Sequence, residues 1–222
     1  MAIALTLCGV ALPSTVALAS SRPAFRVMTF ASGTGWETFA ADPGARAADR
    51  RPRSLGAAQN VCLTESAPSP CPAGALIYGS GSGWFADLSP IPGATWVWAP
   101  GITAATRPAE LASFYFSKRI TVPGHPVAAT VSVAVDDFAE VLVNGTLVGS
   151  TGSISDVGLA GQAQNSLASF SVTSYLKPGA NTITIHGQNG PASFPGCEAP
   201  CSYEENVAGI AFGGSVYFDQ HH

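Results

Sequence analysis

From residue 110 onward the chain is a run of short apolar, β-branched segments cut by turn residues, and this pattern most limits what it can fold into. Phe114 to Val122 is aromatic and β-branched and stops at Pro123-Gly124. In Thr130 to Asp136, Val131, Val133 and Val135 alternate with small or polar residues, the period of a half-buried strand. Glu140 to Val143 meets Asn144-Gly145 and continues as Thr146 to Val148. Asn-Gly between two apolar runs is a strong hairpin signal, because a type I′ turn needs positive φ at both central positions. Ser169 to Thr173 forms another short run. Lys177 to Asn181 reads as a turn, and Thr182 to His186 alternates again. The last two strands are read as Val207 to Phe212 and Ser215 to Phe218, broken at Gly213-Gly214. Many short strands between Gly, Pro and Asn turns predict an all-β antiparallel sandwich.

The first half is looser. Phe25 to Phe30 and Trp36 to Phe39 read as strands, and residues 42–60 as a solvated loop holding Arg46, Arg50, Arg51 and Arg53. Composition excludes several classes. Charged residues make up only 11% and hydrophobic ones 46% of the 222 residues. That balance opposes disorder, which needs high charge and low hydrophobicity. A formal net charge of −4 leaves no basic footprint for nucleic acid. With no repeat and no linker, residues 21–222 read as a single domain.

Residues 1–20 carry no charge and end an apolar run in Ala17-Leu18-Ala19. This is the form of a signal-peptide core and cleavage site, here without its basic start. Pro13 breaks the run, which is too short for a membrane span of about 20 residues. Cleavage would remove Cys8 and leave Cys62, Cys71, Cys197 and Cys201, an even set suited to an oxidising compartment. Four cysteines allow three pairings. Proximity favours Cys62 with Cys71 and Cys197 with Cys201, each bracing a Pro/Gly-rich loop. A zinc site is the rival, but neither spacing is the usual two-residue knuckle. A secreted or cell-surface protein of bacterial type is expected.

An ordered string of motifs runs through Phe114-Tyr115-Phe116-Ser117-Lys118-Arg119, the strand ending in Asp136-Asp137, Val141-Leu142-Val143-Asn144-Gly145, and Leu176-Lys177-Pro178-Gly179-Ala180-Asn181 before Thr182. This string resembles the galactose-binding-like β-jelly roll, as found in carbohydrate-binding modules and in the sugar-binding domain of family 2 glycoside hydrolases. It covers roughly half the chain. The resemblance implies a jelly-roll sandwich and, in many members, a carbohydrate ligand, sometimes with calcium. No dense Asp-x-Asp loop appears here, so no cofactor is expected. The fold hosts unrelated functions, so the ligand has to be argued from a site.

Candidate ligand-binding residues are Trp84, Trp98, Asp137, Gln188, Asn189, Tyr203 and Glu204. Trp84 follows Gly79-Ser80-Gly81-Ser82-Gly83 and is expected to be exposed. Trp98 alternates with Trp96 on one face if that segment is extended. Aromatic faces stack on the C–H face of a sugar while Asp, Asn and Gln bond its hydroxyls. Gln188, Asn189, Tyr203 and Glu204 belong to one long loop containing Cys197 and Cys201. Asp136/Asp137 and Glu204/Glu205 are adjacent carboxylates. On a strand such neighbours face opposite ways, so neither pair is expected to act as an acid/base couple. No nucleophile elbow, metalloprotease motif or phosphate loop is present. The expected function is a secreted, non-catalytic carbohydrate-binding module whose partner is a carbohydrate or cell-surface glycan. Two alternatives stand beside it. Low charge, many small residues and local bridges also suit a self-associating subunit of a filament, sheath or surface layer. A glycan-active hydrolase on the same scaffold would need a nucleophile or acid/base pair within hydrogen-bond reach in a cleft.

Overall fold

The computed structural model describes residues 25–44, 52–63, 71–79 and 83–219. The expected leader at 1–20 and Arg46, Arg50 and Arg51 lie outside the described residues. Thirteen strands and one α-helix are described, and the strands form two stacked sheets, as expected for an all-β sandwich.

The first sheet runs in the order β11 (Ala168–Ser171), β8 (His125–Asp136), β13 (Gly209–Asp219), β6 (Val97–Trp98), β4 (Gln59–Leu63), β5 (Leu76–Tyr78). Strand β1 (Arg26–Ala31) also pairs with β13, placing Arg26 opposite Phe218. The second sheet runs β10 (Thr146–Gly152), β9 (Phe138–Val143), β12 (Gly179–Gln188), β7 (Ser113–Val122), β2 (Glu37–Phe39), β3 (Ser54–Ala57). Pairing is antiparallel except between β4 and β5. The alternation seen in the sequence sets the inner faces. Val131, Val133 and Val135 of β8 and Ile183 and Ile185 of β12 are buried in one core with Trp36, Trp98, Phe116 and Phe212. Asn144 and Gly145 turn β9 into β10 with φ of 53° and 79°, the positive values the hairpin required.

Three expectations are corrected. Residues 42–60 are not all loop, because they contain β3 and the start of β4. Gly213-Gly214 does not interrupt a strand. A Cβ at Gly214 would stand 2.3 Å from the Thr130 carbonyl oxygen and 2.7 Å from the Phe30 ring, so the glycines allow close packing inside one continuous β13. A helix, α1 (Val157–Asn165), was not expected. Its two glycines and short length hide it from periodicity, yet Asp156 caps it by accepting from the Gly158 and Leu159 N–H groups. Helix α1 packs on β8, with Ala160 and Ala163 buried.

Both disulfides form with the pairing expected from proximity, Cys62–Cys71 and Cys197–Cys201. All four thiols are thereby used, which corrects the zinc alternative. No helix among the described residues is long and apolar enough to cross a membrane.

Candidate functional site

At one end of the sandwich, β8 gives way to β9 at Asp136-Asp137, joined by a cis peptide. A cavity of about 260 Å³ opens over this corner. Its floor is Asp136 and Asp137. One wall is α1 through Val157, Gly161, Gln164 and Asn165, and the other is the disulfide-braced loop through Phe194, Pro195, Glu205 and Asn206. Gly83 and Phe85 close the rim.

The two carboxylates share this floor, contrary to the expectation that neighbours diverge. Alternation holds inside a regular strand, and Asp137 lies between β8 and β9 rather than within either. The Gln164 side-chain amide donates to Asp136 Oδ1 at 2.9 Å and reaches Asp137 Oδ1 at 3.4 Å. The Trp84 indole donates to Asp136 Oδ2 at 2.9 Å, and the Gly190 N–H donates to Asp137 Oδ2 at 2.6 Å. Only glycine fits at 190, because a Cβ would meet Asp137 Oδ2 at 2.5 Å and the Phe194 ring at 2.6 Å. Burial and the neighbouring Asp137 charge push the Asp136 carboxyl well above the usual range. Burial raises Asp137 as well, opposed by its hydrogen bonds. The pair therefore keeps a proton where free carboxyls have lost theirs. Glu205 behaves oppositely. The Ser202 N–H and hydroxyl donate to it and Arg107 pairs with it at 2.9 Å, which holds its carboxyl low and ionised.

The seven expected ligand residues divide. Asp137 reaches the cavity. Trp84 does not present a face to solvent and is only 1% exposed, which corrects its expected exposure. Its ring stacks on Trp96 at 4.5 Å and lies against Gly209, where a Cβ would come within 2.5 Å. Gly209, from a distant strand, leaves the room that lets the indole sink into the core. Trp98 and Tyr203 are likewise buried and bond to each other, the Trp98 N–H donating to the Tyr203 hydroxyl at 3.2 Å. Burial raises the Tyr203 phenol. Asn189 is fully buried and staples the loop base, donating to the Ala109 and Asn206 carbonyls. Glu204 is exposed but turned away from the cavity, accepting from the Gly79 N–H. Gln188 ends β12 and does not line the cavity.

Sequence reasoning missed Phe85, Gln164, Phe194 and Glu205. Phe85 had a visible signal, an aromatic residue one position after Trp84 at the end of a Gly/Ser run. Gln164 had none, because the helix carrying it was not legible.

No protein-family model matches the chain, and neither does any curated protein sequence. Solved structures similar to it include an α-L-rhamnosidase from Streptomyces avermitilis with L-rhamnose, at 20% identity over 55% of this chain, TM-score 0.37. A lectin from Pleurotus ostreatus with GalNAc is 24% identical over 57% of this chain, TM-score 0.39. A β-glucuronidase from Bacteroides uniformis is 12% identical over 86%, TM-score 0.44. The chain spans 10%, 31% and 18% of those proteins respectively. At such scores the likeness says nothing about ligand. The two-sheet antiparallel sandwich itself agrees with the fold implied by the sequence resemblance.

Proposed function

We propose that the chain is a carbohydrate-binding module that holds one sugar residue in the cavity over Asp136 and Asp137. The carrying observation is the meeting, in one small cavity, of two aromatic rings, Phe85 at the rim and Phe194 in one wall, with a carboxyl floor. Apolar walls with a few convergent polar groups are the usual make-up of a small-molecule site. Sugars match it, having apolar C–H faces and a rim of hydroxyl donors. A cavity of about 260 Å³ lies just below the roughly 300 Å³ where drug-sized pockets begin, so it suits a single ring rather than a long chain. Phe85 is 60% exposed and offers the stacking face first expected of Trp84.

The module binds without turnover at this cavity. Both Asp136 oxygens are engaged, by Trp84 and Gln164, and Asp137 is held by Gly190. Carboxylates so constrained favour a fixed hydrogen-bonding floor over proton shuttling. Two disulfides persist best in an oxidising compartment, which supports a secreted or cell-surface location.

The test is a glycan array on the purified, oxidised protein, with calcium and again with chelator, followed by calorimetry on the best ligand. Selective binding is expected with or without chelator. Phe85→Ala should weaken it about tenfold, equivalent to about 1.4 kcal/mol, with the melting temperature unchanged because the ring is exposed. Retention of no glycan, or binding indifferent to Phe85, overturns the proposal.

A further inference from the structure

On the outer face of the second sheet, three polar side chains line up across strands β9, β12 and β7. Glu140 faces His186 directly in the β9–β12 ladder, and Ser113 faces Gln188, two residues beyond His186, in the β12–β7 ladder. Residues two apart on a strand share a face, opposite here to the buried Ile183 and Ile185. The Ser113 hydroxyl lies 2.6 Å from His186 Nε2, and His186 Nδ1 lies 2.9 Å from Glu140 Oε2. An ionised carboxylate only accepts, so Nδ1 carries the proton. In the neutral ring Nε2 is then the acceptor that faces the Ser113 hydroxyl. Tyr115 stacks on the imidazole at 4.3 Å and Phe138 meets it edge-on at 6.3 Å, which fixes the ring plane. His186 is 8% exposed, while Ser113 and Glu140 stay partly open.

We propose that Ser113, His186 and Glu140 form a serine-nucleophile site that hydrolyses carboxylic esters. The order is nucleophile, base and orienting carboxylate, each within hydrogen-bond reach of the next. Ser113 Oγ attacks the ester carbonyl carbon as Nε2 takes its proton. The ester C–O bond breaks, and the departing alcohol takes that proton from Nε2. Water then attacks the acyl-serine, giving one proton to Nε2. The carboxylic acid leaves as that proton returns to Ser113. Gln188 stands directly opposite Ser113, so its Cβ lies about 4.5–5.5 Å away. Within this proposal Gln188 is the residue assigned to donate to the oxyanion formed in each step. Glu140 acts through His186 and is a positioning residue. This site is separate from the sugar cavity and does not depend on it.

The test treats the oxidised protein with an alkyl fluorophosphonate, locates the adduct by peptide mass mapping, and measures p-nitrophenyl acetate hydrolysis. A single adduct on Ser113 is expected, with none on Ser113→Ala, and hydrolysis in that variant should fall to the buffer rate. His186→Gln should lower kcat at least about 10²-fold. Glu140→Gln should lower kcat by about 10²- to 10⁴-fold at unchanged KM, a split that loss of packing would not produce. Wild-type protein that gains no adduct on Ser113, or whose hydrolysis persists in Ser113→Ala, overturns the proposal. Because labelling of the wild type decides this point, a variant that fails to fold cannot rescue it.

Discussion

Asp136 and Asp137 meet two opposing demands at the floor of the cavity. Each must accept hydrogen bonds from fixed donors, and both must share a nearly dry corner. Folding raises both carboxyls above the ordinary value of 3.8. The native state therefore holds more protons than the unfolded chain above that pH. The associated stability is complete below 3.8 and is lost as pH rises through the raised folded range. Asp137→Asn removes one charge and lets an amide donate to Asp136. Thermal melts across mildly acidic to neutral pH should fall with rising pH in the wild type and fall less steeply in the variant. An unchanged slope would show that the pair does not hold the proton. Trp84→Phe keeps a ring in the core but deletes the donor to Asp136. A buried oxygen short of a partner costs about 1–3 kcal/mol, readable by urea unfolding. The sequence named Asp137, which lies at the cavity floor, and misjudged the exposure of Trp84. Local composition reports chain flexibility, whereas burial of the indole is decided by its stacking on Trp96 and by Gly209, far along the chain.

Strands after residue 110 were legible because Val131 to Val135 and Ile183 to Ile185 write the core face as a period of two, whereas β4 and β5, too short to show that period, were not. The helix was not legible. Its sequence, Val157 to Asn165, buries only Ala160 and Ala163 and is fixed by its cap and by β8 beneath it. Gly213-Gly214 misled in the other direction, since glycine serves a close approach as readily as a turn. The loop between β12 and β13 shows how a small covalent ring supports a site. Cys197 and Cys201 are separated by 4 in sequence, so their bridge closes little chain and should contribute about 2 kcal/mol. The segment it braces also supplies Phe194, Pro195, Glu205 and Asn206 to the cavity. The Cys197→Ser/Cys201→Ser protein should therefore melt slightly earlier yet lose most of its sugar affinity. Calorimetry and a thermal melt on the same sample separate the two effects. Intact affinity in that variant would mean that the loop's hydrogen bonds alone hold the wall.

Across the whole molecule, stability should concentrate where strands are paired on both sides over long registers. Strands β8 and β13 form the spine of one sheet, and β12 lies between β7 and β9 in the other. Native-state hydrogen exchange should find the slowest amides in β8, β12 and β13 and the fastest in the edge strands β3, β5 and β11. Uniform protection would contradict that gradient. Fold class could be read before the structure because it depends on repeated local signals. The cavity could not, since Phe85, Gln164 and Phe194 are brought together only by the stacking of distant segments.

The pairing of β1 with β13 has a practical outcome. Arg26 lies opposite Phe218, and Asp219 lies opposite His125, where β8 begins. Asp136, at the far end of β8, underlies the cavity. His125 and Asp136 are the two ends of the 12-residue β8, about 37 Å apart at roughly 3.4 Å per residue. Arg26 and Asp219 thus lie at the pole opposite the cavity. A tether joined at that pole, on a sensor chip or a bead, would leave the cavity mouth facing outward.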